Sequence, residues 1–563
     1  MYSYSKFEHH YTKSYFKYVE PISEDYRVFV NGDEIPVYTC RISKFPFNTV
    51  WPGHQRPFEQ SEAASFVNIV SDEEIKLEVI SNIDHKRVLI KPYSKNIEYS
   101  ETDGRITFSL KENGQYVLEC DSYHHCLYIF NSKPIEAPRK DDVTYYFGAG
   151  IHFPGKLTLK SNESVYVDKD ALVYGCIYAE NAENIRIFGN GIFDDSHEER
   201  TGNYCYEAYT NGNMKFYDCK NLKLEGVGMK NSAIWCLNFF GCFNVNVDNI
   251  KIFGQWRYNT DGIDIVNCQN IFINNSFIHS FDDTITIKGI DRYYYIDNKN
   301  IHIDNCVLWC DWGKCCEVGV ETTCREYENI SFKNCDLLRC GNAALDINNG
   351  ECAEIHNITF ENINAEFNSF DTDAVYQEKD EDVYGAEDTV ALPFLILFGN
   401  YAWRTPECRE LWGLPPMTDE IDLTGISTRS IHDVIVKNIN CYIKFTGVRK
   451  AVLTCRVLHF PLRNINTFKA TGFKVRSYFY ALIRQNLRDR DLNRCRDRLI
   501  FGLGDEHKFP IRPHNTSRVM NLPAVSKRQK ARHSTPISTT QPYIITFIAG
   551  AEPGIITHID AVE

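Results

Sequence analysis

The chain has 563 residues, 43% of them hydrophobic, and a formal net charge of −14. That length suffices for two or three domains, and the acidic balance excludes nucleic acid as the main partner, since phosphate binding needs clustered positive charge. No apolar run approaches the ~20 residues of a membrane span. The opening stretch MYSYSKFEHHYTKSYF lacks the charged and apolar regions of a secretory signal, so the cytoplasm is expected, with secretion of a processed chain as the alternative.

Between residues 1 and 140, short alternating segments follow one another: YRVFVNG, IPVYTCRI, EIKLEVI, KRVLIKP, RITFSLKENGQYVLEC and HCLYIFNS. Turn residues such as Asn31-Gly32 and Asn113-Gly114 punctuate them. Strands this short and this regularly spaced predict an N-terminal β-sandwich.

A different rhythm begins near Tyr145. The tetrad Asn–aliphatic–x–aliphatic returns at Asn184-Ile185-Arg186-Ile187, Asn221-Leu222-Lys223-Leu224, Asn244-Val245-Asn246-Val247, Asn270-Ile271-Phe272-Ile273, Asn300-Ile301-His302-Ile303, Asn329-Ile330-Ser331-Phe332 and Asn357-Ile358-Thr359-Phe360. Repeats of this length imply a stacked, quasi-one-dimensional fold. The units are strand-rich without helical periodicity, which predicts a parallel β-helix over 141–445. The aliphatic residues stack inside and the Asn sits at the turn into the strand. A long segment at about 366–430, rich in acids and prolines, interrupts the rhythm and reads as an insertion.

The last part, 446–563, changes character. From 446 to 535 it holds 20 Lys/Arg against 5 acids, with no tetrad. It reads as a weakly ordered extension or a stretch foreign to the fold, ahead of a functional basic arm. The 21 cysteines are scattered, with no CxxC pair. Most are expected to be reduced, buried and stacked, and no metal site is expected. The adjacent Cys315 and Cys316 should point to opposite faces of a strand.

Chemistry concentrates in NTDGIDIVNCQNIFINNSFIHSFDDTITIK, residues 259–288. Asp261 lies about one coil before Asp282 and Asp283, so a stacked fold brings the three carboxylates to one face. Glycosidic cleavage needs one protonated carboxyl to protonate the leaving oxygen and one carboxylate to activate water or attack the sugar. Crowded carboxylates cannot all ionise easily, which raises one pKa and supplies the acid. Trp256, Trp309 and Trp312 flank this stretch and Tyr293, Tyr294 and Tyr295 follow it. Rings in such positions can stack on sugar faces.

The segments NTDGIDI and SFDDTITIK resemble the signature of the polygalacturonase family, glycoside hydrolase family 28. Family 49, of dextranases and isopullulanases, is related and shares the right-handed parallel β-helix. The run YYFGAGIHFPGKLTLKSNESVYVDKDALVYGCIYAENAENIRIFGNGIFD is similar to the entry of that helix, and a sandwich ahead of it is more like the dextranase group. The resemblance covers roughly residues 140 to 365. It implies a glycosidase acting on a poly- or oligosaccharide without a cofactor. It implies Asp282 as general acid, Asp261 as water-activating base and Asp283 as a second base-side carboxylate. Inversion is implied as well, with carboxyls ~6.5–9.5 Å apart. Asn259 would orient Asp261 or meet the sugar, and Lys288 would touch substrate.

Two departures bear on the substrate. Polygalacturonases carry Gly-His-Gly one coil after the paired aspartates, whereas this chain reads WGKCCEVGVET, with Lys314 in place of His and Glu317 and Glu321 as added acids. An Arg-Ile-Lys strand further on is replaced by NAALDINNG, with Asp346 and Asn348 at the matching positions. Trp256, Trp312, Lys314, Glu317, Asp346 and Asn348 are therefore read as substrate contacts, and the sugar at the cleavage point as other than plain galacturonate. A β-helix polysaccharide lyase and a non-catalytic carbohydrate-binding β-helix remain the alternatives.

Overall fold

The computed structural model describes residues 2–6, 22–44, 58, 61–198, 200, 212–351, 353–368, 394–400 and 430–444. Elsewhere it gives the backbone of short strands only, such as Val452–Leu458. The chemical character expected of the basic tail thus lies outside the described residues.

The N-terminal part is two facing sheets. One is built from Tyr2–Tyr4, Ser61–Ser71, Leu127–Ser132, Gly114–Cys120 and Val88–Lys91, with Tyr38–Ser43 added to its long strand. The other runs Asp33–Ile35, Tyr26–Val30, Ile75–Ser81, Arg105–Leu110 and Tyr99–Thr102. Period-two alternation sends Val28, Val30, Leu77, Val79, Ile106 and Phe108 inward against Val67, Ile69, Leu118 and Ile129.

From Tyr145 to Lys444 the chain coils as a right-handed parallel β-helix, each strand of its long sheet pairing in parallel with the strand one coil later; the short strands Tyr543–Ile548 and Ile555–Ile556 pair antiparallel. The tetrads form one of its three faces. Ile185, Leu222, Val245, Ile271, Ile301, Ile330 and Ile358 lie in register and inside. The structure explains the Asn that opens each tetrad. Asn184, Asn221, Asn244, Asn270, Asn300 and Asn329 have φ between 56° and 59°, a left-handed conformation that Asn tolerates and β-branched residues do not. Each of the last five donates its side-chain amide to the Asn one coil earlier at 2.9–3.2 Å. The Asn thus turns the chain and holds the coils together through an amide ladder.

The second face packs on the sandwich. Phe253, Phe277, Val307, Trp309 and Leu338 meet Tyr38, Phe66, Tyr128 and Phe130. Polar anchors cross the same interface. Tyr128 Oη bonds His279 Nδ1 at 2.6 Å, and His279 Nε2 contacts Asp311 at 3.0 Å. Buried Arg339 grips Glu119 at 2.8 Å, while Lys91 lies 3.3 Å from both Glu119 and Glu366.

The third face stacks Met214–Tyr217, Leu237–Phe240, Ile263–Val266, Ile285–Gly289, Lys314–Thr322 and Ala343–Asn349. It continues into Phe394–Asn400, which lies within the segment read as an insertion. That reading needs correction there: the apolar run Leu395–Phe398 is buried as a further coil, because continuous hydrophobicity suits a strand stacked at the core. The rest of the 366–430 insertion is outside the described residues, apart from two short backbone segments.

All 16 described free cysteines are buried. Cys242 donates its backbone N–H to Cys268 Sγ at 3.2 Å. Cys315 Sγ faces Cys340 Sγ at 3.2 Å, while Cys316 lies beside Cys306 and Cys335. No described helix is long and apolar enough to cross a membrane.

Candidate active site

On the third face, inward residues alternate with outward ones. Ile263, Ile285, Cys316 and Leu345 fill the core. Asp264, Thr286, Glu317 and Asp346 form an outward column in register. The loops entering these strands bring Asp261, Asp282 and Asp283 to the head of the same face. Asp261 is 1% exposed and the paired aspartates 7% each, so the expected trio does converge on one nearly enclosed site.

Two lysines organise it. Lys288 Nζ lies 2.9 Å from Asp261 Oδ2, 3.0 Å from Asp264 Oδ1 and 3.9 Å from Asp283 Oδ2. It also sits 3.9 Å above the Trp235 ring, a cation–π contact strengthened by burial. Lys314 Nζ reaches Glu317 at 2.8 Å and Asp283 Oδ1 at 3.5 Å, and its backbone N–H donates to Asp283 Oδ1 at 3.0 Å. Lys288, expected to touch substrate, has its ammonium enclosed by carboxylates instead, because each outward acid on this face needs a counter-charge. Asn259, with φ 55°, turns the chain and donates to Asp282 Oδ2 at 3.3 Å, so it orients Asp282 and not Asp261. Arg200 in turn donates to Asn259 Oδ1 at 3.1 Å.

The surroundings split the protonation of neighbours. Burial, then the adjacent Asp283, pushes Asp282 up to about 8. Burial acts on Asp283 too, but the Lys314 and Lys288 ammoniums override it and hold that carboxyl down to about 2. Asp264 is pushed up to about 7 by burial against the pull of Lys288, and burial raises Asp261 well above the usual range. One lysine thus faces two carboxylates that compete for ionisation. Glu317 is raised by burial and by Asp283.

Asp264 and Trp235 are the residues sequence reasoning missed. The signal was present in Ile263-Asp264-Ile265, where two inward isoleucines force the Asp outward beside Thr286 and Lys288.

The aromatic candidates divide. Trp312 is half-buried beside Tyr258 and Phe281, at 5.6 and 6.0 Å between ring centroids. Trp256 is 1% exposed with Phe58 against its edge, so it is closed to a sugar face; it follows a strand of the sandwich-facing sheet. Trp309 is fully buried against His279 at that same interface. Asn348 is half-buried and Glu317 and Asp346 fully buried at the far end of the column.

Two other groups of described residues bring ligand atoms within 4.8 Å of one another: Cys176, Asp195 and Glu198, and Glu326, Glu328 and His356. The second already surrounds Lys299. In the first, burial and the two acids push the Cys176 thiol up to about 12, which opposes the thiolate a metal takes.

Gly313 permits the closeness of the paired aspartates to the next coil. A Cβ there would stand 2.3 Å from Asp283 Oδ1 and 2.7 Å from Asp282 Oδ1. The same Cβ would stand 2.6 Å from the Asp283 backbone nitrogen, so Gly313→Ala is expected to lower kcat/KM by about 10²-fold through displaced carboxylates and to lower the melting temperature as that backbone shifts. Unchanged kinetics would show that the aspartates need no such placement.

With this geometry in place, the likenesses to known proteins can be stated. Residues 135–382 match the family model described as Glycosyl hydrolases family 28. Probable exopolygalacturonase B of Aspergillus fumigatus is 22% identical over 273 residues, covering 43% of this chain and 57% of that protein. A polygalacturonase of Gossypium barbadense is 24% identical over 254 residues, covering 42% and 58%. The chain thus spans a little over half the length of these relatives. Among solved structures, Dex49A from Penicillium minioluteum superposes with a TM-score of 0.48 at 13% identity, covering 84% of this chain and 92% of that one. Residues 135–382, a little under half of the chain, are thus similar to glycosyl hydrolase family 28 and polygalacturonase-like.

Proposed function

We propose that this protein hydrolyses O-glycosidic bonds of a poly- or oligosaccharide with inversion, using Asp282 as general acid and an ionised partner carboxylate as base. One observation carries the reading. Two adjacent, nearly enclosed carboxyls are driven to opposite protonation states, Asp282 up to about 8 and Asp283 down to about 2. At neutral pH the first can protonate a leaving oxygen while the second stays ionised on the side of the attacking water.

The electrostatics refine the division of labour. The base role across the scissile bond falls on Asp261, on the neighbouring coil. Asp283, too close to Asp282 for the separation that inversion needs and kept ionised by two lysines, serves as the second base-side group. Asn259 fixes the rotamer of Asp282. The family 28 match and relatives named as polygalacturonases support a glycosidase.

The lyase alternative fares worse on the same grounds. β-Elimination needs a base that can take a proton, and both lysines keep theirs. Burial would lower them, but Asp261 and Asp264 raise Lys288, and Asp283 and Glu317 raise Lys314.

The test is turnover on pectic, dextran-type and pullulan-type substrates, with the first-formed anomer read by NMR. Release of reducing ends with inverted configuration is expected. Retention, or an unsaturated product absorbing in the ultraviolet, would remove the inverting hydrolysis.

A further inference from the structure

The outward column of the active-site face ends in groups that the proposed hydrolysis does not use. Asp346 is fully buried, yet neither of its carboxylate oxygens has a hydrogen-bond partner among the described residues. On the preceding coil, in register with it, Glu317 is also fully buried; Lys314 takes its Oε1 and leaves Oε2 unpartnered. Two residues along from Asp346, Asn348 presents a fourth side-chain oxygen without a partner among the described residues. Buried acceptors without donors are costly, and native proteins keep them where something else satisfies them.

The charges around this place select what that can be. Lys314 is neutralised by Glu317 and Asp283, and Lys288 by Asp261 and Asp264. The outward cation Lys215 lies on the far side of Asp264, with Asn238 between them in the column. Asp346 therefore faces no uncommitted cation among the described residues of the column, and its neighbours Glu317 and Asp283 are acids. A ligand that brings several O–H donors and no negative charge satisfies the acceptors. A carboxylate brings a charge that low-dielectric surroundings make expensive.

We propose that Asp346, Asn348 and the free oxygen of Glu317 form a subsite for a neutral sugar ring, recognised through its hydroxyls, and that this subsite discriminates against uronic acids. The proposal rests on the glycan-cleaving reading and names the substrate class for one position in that cleft. Discrimination of this kind is strong because a polar site rejects a ligand that leaves its groups unpaired or adds an unpaired charge.

The experiment measures binding, not turnover. Oligosaccharide pairs differing only in charge are titrated calorimetrically into the Asp282→Asn protein: an oligogalacturonide with its carboxyl-reduced form, and a gluco-oligosaccharide with its C6-oxidised form. A chitosan oligomer and calcium chloride are titrated alongside. The neutral member of at least one pair is expected to bind at least tenfold more tightly than its uronate. Adding Asp346→Asn should shrink that ratio several-fold, and adding Asn348→Asp, at a half-buried position that tolerates change more readily, should widen it. Equal or tighter binding of the uronates overturns the proposal. So does tighter binding of chitosan or calcium than of any neutral sugar, or a ratio unmoved by both variants, or failure of every neutral oligomer to bind. Charge preference without cleavage by the wild-type protein would count against the hydrolase reading alone, and cleavage of a polyuronate with no charge preference against the subsite alone.

Discussion

Asp282→Asn is expected to lower turnover by about 10²–10⁴-fold, the contribution of a positioned general acid, while the protein stays folded. The amide matches the carboxyl in shape, and the site already treats this side chain as neutral: burial and the neighbouring Asp283 hold it up at about 8. The sign of the pH dependence follows. A general acid works only while protonated, so wild-type activity should fall as pH rises through about 8, and the residual activity of the variant should lack that limb. The acid side tests the base. Asp283, held at about 2, stays ionised well below neutrality, whereas burial raises Asp261 well above the usual carboxylate range. An acid limb at or below the usual carboxylate range therefore assigns the base to Asp283, and one well above that range assigns it to Asp261. An aryl glycoside with a good leaving group needs no protonation, so the loss in Asp282→Asn should shrink on it. A uniform loss on both substrates would take Asp282 out of the acid role.

The coil repeat was legible because it is written in core residues. The tetrads fix the inward position of one face, and spacing of about one coil carried Asp261 to Asp282 and Asp283. What the tetrads left unread was the reason for their Asn, since an amide ladder exists only between coils and a single strand shows no trace of it. The site's electrostatics were half legible. Lys288 and Lys314 were picked out as polar residues near aspartates, but an ion pair depends on which outward positions coincide across coils. Asp264 was missed for the same reason, its partner being 24 residues away. Trp256 failed as a sugar platform because closeness in sequence to the aspartates does not say which of three faces a residue follows. The strand Phe394–Asn400 was hidden by its acidic and proline-rich neighbours, although its own apolar run suited a buried coil.

Lys288→Met should be the most damaging single change to the stability of the site, and its effect should depend on pH in a direction the charges dictate. The methionine keeps an apolar stem while removing the ammonium that lies within 3.0 Å of both Asp261 and Asp264, and with it the cation–π contact on Trp235. Removing one partner from a buried ion pair leaves uncompensated charge and costs about 3–5 kcal/mol. Asp261 and Asp264 already have folded-state pKa values raised above those of the unfolded chain, so the stability tied to their protonation is present at low pH and lost as pH rises through the folded values. Without Lys288 those values rise further. The variant should therefore lose most stability relative to wild type at pH 8, and less at pH 5. Near pH 4 the gap should close, because the wild-type lysine then sits buried beside carboxyls that are gaining protons. Urea unfolding at the three pH values measures this. Activity at neutral pH should fall too, since Asp261 and Asp283 lose the cation that favours their ionised form and a smaller fraction of each is free to accept a proton. A stability difference that stays constant from pH 4 to 8 would mean that Lys288 acts through packing and not through the two aspartates it bridges.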